Sequence, residues 1–244
     1  MRFLFSRRWV LFFISVVAMA YGASLLGQWQ FHRLDDKRVE NKIVARNLDA
    51  APVPVKALLA VGKAVNAQDE WRRVTATGTW DDAHTIVLKY QTNAEGSPGI
   101  DVATPLVTID GPAVIVDRGW MSTDNSGGGR PKTPAPTTGK VTVTGWVRVN
   151  ATGGASKVSQ LQTRALSSEE IAKVLGYPVY GGFLDLSDQS PPPVKRLGHI
   201  ELPDDTSEGP HFFYGLQWWF FGALAVFGFA FLVYDEWRRA HPRR

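Results

Sequence analysis

Cysteine is absent from all 244 residues. That absence removes disulfides, thiolate metal sites, Cys-X-X-Cys redox chemistry and a cysteine nucleophile. Methionine occurs only at Met1, Met19 and Met121, which gives no copper-type cluster. The five histidines are His32, His84, His199, His211 and His241, and none has a helical i,i+4 partner. No H-E-x-x-H, G-x-S-x-G, Walker or EF-hand pattern occurs. A hydrophobic content of 44% with 20% charged residues excludes a fully disordered chain. A mean hydropathy of −0.12 is too low for a polytopic membrane protein. Length is consistent with one or two domains.

The net charge of +4 first suggests an anionic partner. Its distribution argues otherwise. The first eight residues carry Arg2, Arg7 and Arg8 and no acid. The last ten carry Arg238, Arg239, Arg243 and Arg244 against Asp235 and Glu236. The rest holds 20 bases against 21 acids, with no basic patch interleaved with aromatics. Nucleic acid is therefore not an expected partner.

Two uncharged runs explain where the excess lies. Trp9 to Phe31 and Phe212 to Tyr234 each contain 23 residues without Asp, Glu, Lys or Arg. Helices of that length cross a ~30 Å hydrocarbon core with some tilt. Trp9, Trp29, Trp218, Trp219 and Trp237 lie at their ends, where amphipathic rings favour the interface. Arginine flanks each run on its terminal side, which predicts two spans with both termini cytoplasmic. The lipid bilayer is then a partner. The expected domains are a cytoplasmic N-terminus (1–8), a first span (9–31), an extracytoplasmic domain (32–211), a second span (212–234) and a cytoplasmic C-terminus (235–244). A cleavable signal peptide is the rival reading. Ala18-Met19-Ala20 resembles a cleavage site, and Ser6-Arg7-Arg8 hints at a twin-arginine signal. The apolar run continues unbroken through Leu26, which favours an uncleaved anchor. Small residues fall along both helices, at Ser15, Ala18 and Gly22 and at Gly215, Gly222 and Ala225. Such stripes allow close helix contact, or a groove for a partner helix or a flat cofactor.

Between the spans, strand signals dominate. Residues 33–50 read as a helix that continues or restarts beyond the first span, and residues 52–59 as a short helical or turn segment closed by Gly62. Alternating or β-branched runs predict strands at 72–80, 84–90, 101–109, 113–120 and 140–149, with a hairpin-type turn at Asp110-Gly111-Pro112. Further strands are expected at 181–187 and near 195–202. Residues 126–139 form a glycine- and proline-rich loop. Residues 167–176 give the clearest helix, with Ser167 and Glu170 as a capping box and Gly176 as its stop. The expected fold class is an α+β membrane protein. Two terminal transmembrane helices flank a β-rich, antiparallel barrel- or sandwich-like external domain carrying one or two helices.

Candidate chemistry is sparse. Ser126-Gly-Gly-Gly-Arg130 lacks the Lys-Ser/Thr pair of a phosphate loop and reads as flexible. Asp81-Asp82 and Asp204-Asp205 read as solvated turns. Asp117-Arg118-Gly119-Trp120 joins charge to an aromatic at a strand end, as a site or as an Asp-Arg pair supporting a turn. His211 stands immediately before the second span. Imidazole there could ligate a haem iron whose ring lies between the helices, or serve only as a polar anchor.

Three stretches carry a resemblance. Leu26-Gly27-Gln28-Trp29-Gln30-Phe31-His32-Arg33 is similar to the L-G-x-W-Q-x-x-R pattern closing the first span in the surfeit locus protein 1 family. Gly99 to Leu106, then Asp110-Gly111, then Val116 to Trp120 resemble that family's central motif. Pro210-His211-Phe-Phe-Tyr214-Gly-Leu-Gln217-Trp218 resembles its H-x-x-Y-x-x-Q/T-W opening of the second span. The order is the same over almost the whole chain, and a bacterial member is expected. The resemblance implies a non-enzymatic assembly factor for haem-copper cytochrome c oxidase that binds haem a. Its implied partners are the oxidase catalytic subunit and haem a synthase. The alternative is a haem-independent scaffold for an oxidase subunit. The family's proposed axial ligand corresponds to His211, with Tyr214, Gln217 and Trp218 in the same motif. Trp218 is placed to flank the site. Arg118 carries over without an agreed chemical role, and its guanidinium could pair with a haem propionate. No role carries to His32.

Overall fold

The computed structural model describes residues 2–123, 129–198, 201–203 and 207–240. A single unbroken helix, α1, runs Arg7–Asp49, so the helix after the first apolar run continues rather than restarts. Strands β1 (Val53–Pro54), β2 (Arg73–Trp80), β3 (Ile86–Thr92), β4 (Pro98–Thr108), β5 (Ala113–Ser122), β6 (Lys140–Arg148) and β7 (Gln162–Thr163) follow. Helix α2 (Ser168–Leu175), strand β8 (Val179–Ser190) and helix α3 (His211–Ala240) complete the order. The chain divides into two units, Met1–Lys42 with Asp204–Arg244, and Ile43–Pro203.

In the first unit, α1 and α3 are both long and apolar enough to cross a membrane. They meet through small residues. A Cβ on Gly222 would lie 3.3 Å from that of Ala23, and one on Gly27 would lie 2.3 Å from the Trp219 ring. The ring of Phe31 fills the space where a Gly215 side chain would sit. Phe229 closes the far end against Trp9, Phe12 and Phe13. The α3 side of this contact is the stripe expected at Gly215 and Gly222. The α1 side is not. Ser15 and Ala18 are exposed, and nothing lies within 4 Å of a Cβ on Gly22. Val16, Ala23 and Gly27 are the buried residues instead. The stripe on α1 is rotated by about one residue, ~100°, from the expected one. Beyond the apolar run, Arg38 donates from Nε and Nη2 to the two carboxylate oxygens of Glu208 at 2.7 and 2.9 Å. Asn41 donates to the Ser207 carbonyl.

The second unit is built on one eight-stranded sheet with the order β1-β2-β6-β8-β5-β4-β3-β7. The end of β2 also pairs with β4, Gly78 to Trp80 against Thr108 to Leu106, so the ladder β2-β6-β8-β5-β4 returns to β2. Gly78 permits this return: a Cβ there would lie 2.1 Å from the Val107 carbonyl oxygen. The expectation of antiparallel strands needs correction. β1–β2, β3–β7 and β5–β8 pair in parallel. The β5–β8 pair is made possible by the long crossover through β6, β7 and α2.

Alternation on β6 buries Val141, Val143 and Val147 on one face. Val114, Val116, Leu106 and Leu184 join them in one core. Ile115, on the opposite face of β5, joins Ile86, Ala103, Ile171 and Leu175 in a second core, which α2 covers. β5 is thus buried on both sides from Ala113 to Gly119, as its continuous apolar run suggests. Gly176 ends α2 in the left-handed conformation, φ 72°. The capping box does not form, since Ser167 makes no side-chain cap bond. Ser168 instead donates to Asn150 Oδ1 and accepts the Gly182 N–H, tying the helix start to β8. The strand expected near 195–202 is also absent among the described residues. Gly198 makes one isolated bridge to Trp120 there.

Candidate functional site

His211 opens α3, and its ring is half-buried. Nδ1 lies 2.8 Å from Gln30 Oε1 on α1. An amide oxygen only accepts, so Nδ1 is the donor in this bond, and of the two neutral tautomers it selects the one whose lone pair is on Nε2. A second partner that fixes the tautomer and turns the ring is the usual support of a metal-binding imidazole. Gln30 stands inside the Leu26 to Arg33 motif, yet sequence reasoning gave it no role. The available signal was a pair of amides, Gln28 and Gln30, near the end of an apolar run.

The other residues of the α3 motif divide by helical geometry. At ~100° per residue, Gly215, Trp218 and Gly222 fall within about 40° of His211, Tyr214 about 60° away and Gln217 about 120° away. Gly215 and Gly222 are buried against α1. Trp218 is half-buried and meets Phe221 edge-on at 6.2 Å. Tyr214 and Gln217 are exposed. Trp219, which sequence reasoning placed only at the interface, lies over Gly27 and 4.8 Å from Phe31. The structure therefore brings His211, Gln30, Gly215, Phe31 and Trp219 together, with Trp218 at the edge. His32 is exposed.

Arg118 belongs to the other unit. The pairing of β4 with β5 slips between Asp101↔Trp120 and Ala103↔Asp117. One extra residue on β5 makes a bulge at Arg118-Gly119, a device that re-aims side chains. The motif thus sits within a strand and not at its end. Gly119 has φ 118°, and a Cβ there would meet the Gly198 carbonyl oxygen at 2.3 Å. Asp117 is buried and accepts the Gly119 N–H at 2.9 Å. Arg118 is only 7% exposed, and Nη1 donates to the Pro134 carbonyl at 3.0 Å and to Thr104 Oγ1 at 3.5 Å. Asp117 and Arg118 do not pair with each other. Burial pushes the Arg118 pKa below its ordinary value, against the charge of Asp82.

The family model for the SURF1 family matches residues 17–223, which contain all three motifs. This chain belongs to the SURF1 family. It is 30% identical over 242 residues to an uncharacterized SURF1-like protein of Mycobacterium bovis, covering 97% of this chain and 87% of that protein. The same figures hold for uncharacterized SURF1-like proteins of two Mycobacterium tuberculosis strains.

Of the remaining candidates of this SURF1-family chain, Asp81, His84 and Arg130 make structural bonds. Asp81 accepts from His84 Nδ1 at 2.7 Å and from the Tyr177 hydroxyl at 2.6 Å. Burial raises its pKa, and those bonds together outweigh burial, so the carboxyl ends below its ordinary value. Asp81 is thus a bonded turn residue. Arg130 donates to the Thr85 carbonyl. Ser126 to Gly128, His199, Asp204, Asp205 and His241 lie outside the described residues.

A buried acid group was not foreseen. Asp101, Asp117 and Asp185 stand on the neighbouring strands β4, β5 and β8. Burial, then the charge of Asp185, pushes Asp101 up to about 6. Burial, then Asp101 and Asp185, pushes Asp117 well above the carboxylate range. A carboxyl whose folded pKa exceeds its unfolded ~3.9 stabilises the fold when protonated. That contribution is complete below about pH 4 and is lost as pH rises through about 6. Asp101→Asn removes the penalty. Its stability advantage over wild type is expected to grow from near zero at pH 4 to a plateau above pH 7, on the order of 2 kcal/mol. Unfolding curves of both proteins across that range measure it. Parallel curves would exclude Asp101 as the titrating group.

Proposed function

We propose that this protein is a membrane-anchored assembly factor for haem-copper cytochrome c oxidase. In this reading it binds haem a through His211 and helps its insertion into, or retention by, the oxidase. Family membership supports the oxidase link. The observation that carries the haem reading is the His211–Gln30 bond, which selects the imidazole tautomer whose Nε2 can bind a metal. The donor set fits the group: neutral imidazole is a common haem ligand, and the aromatic side chains near it suit contact with a flat apolar ring. His211 would hold the iron, Gln30 would fix the ring, and Trp218 would flank it. Gln217 faces away from Gly215 and Tyr214 lies to its side; both are exposed and would contact lipid or a partner. Bound iron supplies only the reversible coordination that a carrier needs. The proposed partners are the oxidase catalytic subunit and haem a synthase. The proposed placement is the cell membrane, with both termini cytoplasmic and the closed β-ladder, read as a small barrel, on the other side. No bond need be broken in this role, which agrees with a non-enzymatic factor.

The test is the visible spectrum of protein purified from cells that make haem a. Wild type is expected to show haem absorbance, and His211→Ala to lose it. Gln30→Leu is expected to weaken haem retention by about 10–100-fold, as removal of a ligand's supporting bond does elsewhere. Unchanged spectra in both His211→Ala and His211→Met would remove His211 from the site. Haem-free wild type that still captures the oxidase would leave the scaffold reading.

A further inference from the structure

In the Ile43–Pro203 unit, Arg118 lines a small cleft with Ser187, Asp188, Gln189, Arg196 and Leu197. Its volume is about 50 Å³. Among the described residues no carboxylate lies within ion-pair distance of Arg118 or Arg196. Both bonds of Arg118 come from Nη1, so Nε and Nη2 make none with the described residues. Trp80 lies against the guanidinium, 5.9 Å from ring centre to Cζ. Thr104, the Pro134 carbonyl and Trp80 thus hold the group in place, and Asp82, whose charge reaches it, makes no ion pair with it. A buried charge with only neutral partners is costly, and nature commonly meets that cost with a counter-ion.

We propose that this cleft is a carboxylate-binding site, in which the free edge of Arg118 takes the two oxygens and exposed Arg196 closes over them. Guanidinium and carboxylate match as planar forks. Asp188 at the exposed rim lowers the positive field, which disfavours a dianion such as phosphate. The cleft exceeds the ~10–15 Å³ required by one water and is on the scale of a single carboxylate group. The natural carboxylate is a haem propionate or a side chain of a protein partner. The site stands independently of the haem reading, because a small carboxylate alone reports on it.

The probe is sodium acetate, titrated into the full-length protein in detergent, with the unfolding midpoint as readout. Sodium chloride at equal ionic strength and acetamide, its uncharged isostere, are the controls. Acetate alone is expected to raise the midpoint saturably. Arg196→Gln is expected to weaken acetate binding about five- to tenfold while leaving the ligand-free midpoint unchanged, since Arg196 is exposed. Arg118→Gln is expected to abolish the response. Equal effects of acetamide or chloride overturn the proposal, and so does an unaltered acetate curve in Arg196→Gln. Those two outcomes decide the matter even if Arg118→Gln fails to fold. Haemin and haemin dimethyl ester distinguish the sources. Displacement of acetate by haemin but not by the ester assigns a propionate, and displacement only by a glutamate-bearing peptide assigns a protein. If nothing but acetate binds, the cleft is an adventitious anion site and the proposal falls.

Discussion

Arg148→Met is expected to destabilise the Ile43–Pro203 unit by about 3–5 kcal/mol, the usual cost of stripping one partner from a buried ion pair. Arg148 ends β6, and its guanidinium meets two acids. Nη1 lies 2.5 Å from Asp185 Oδ2, and Nε lies 3.1 Å from Glu70 Oε1. The same group stacks on Trp71, with Cζ 3.9 Å from the ring centre. Asp185 is 2% exposed, so no water replaces the lost partner. Burial already raises the Asp185 pKa, and Arg148 is what opposes that rise. Without it, Asp185 must carry an unpaired charge or take up a proton. The folded pKa then climbs further above the unfolded one. Stability contributed by the protonated form is complete below the unfolded pKa, ~3.9, and is lost as pH rises through the raised value. The deficit of Arg148→Met against wild type should therefore shrink as pH falls toward 4. Asp185→Asn in the Arg148→Met background removes the orphaned charge and should recover most of the loss. A coupling below about 0.5 kcal/mol in that cycle would mean the two residues act separately. So would a deficit that ignores pH.

What the sequence made legible depended on how local each determinant is. Strands β2, β4, β5 and β6 follow from alternation, β-branched runs and the Asp110-Gly111-Pro112 turn, all readable within ten residues. Gly176 stopping α2 is equally local. The parallel β5–β8 pair is not. It joins Ala113 to Val179 across two other strands and a helix, and no short segment encodes that register. The helix faces show the same limit. Gly215 and Gly222 lie on the expected stripe of α3, whereas α1 offers several small residues. Choosing Val16, Ala23 and Gly27 over Ser15, Ala18 and Gly22 requires knowing where Trp219 lies. His211 was legible from its place before an apolar run, but its partner Gln30 lies 181 residues away. The motif around Arg118 marked a strand, and the bulge that re-aims it emerged only from the slipped pairing with β4.

Gly27→Leu is expected to separate α1 from α3, while Gly22→Leu five residues earlier is expected to leave them paired. In lipid there is no hydrophobic drive between helices, so close backbone approach through small residues decides association. A Cβ on Gly27 overlaps the Trp219 ring at 2.3 Å and presses the Gly215 carbonyl oxygen at 3.3 Å. Moving Trp219 aside would break its packing on Phe31, the ring that also fills the space above Gly215. Gly22 faces open space. The absence of cysteine makes the measurement clean. Ala23→Cys with Gly222→Cys places two thiols where the Cβ positions are 3.3 Å apart, near the mean separation of ~3.8 Å in disulfides. Oxidation should then consume both thiols, counted by alkylation and mass. Adding Gly27→Leu should slow that closure about tenfold, equivalent to ~1.4 kcal/mol. Adding Gly22→Leu should leave it unchanged. The reverse pattern would put the Ser15-Ala18-Gly22 stripe at the contact. It would also separate Gln30 from His211, since the face that brings Gln30 to the imidazole is the one that carries Gly27. Haem absorbance measured on the same variants links the two results. If His211 holds haem with Gln30 behind it, Gly27→Leu loses the spectrum together with the crosslink, although neither residue 27 nor Trp219 touches the imidazole.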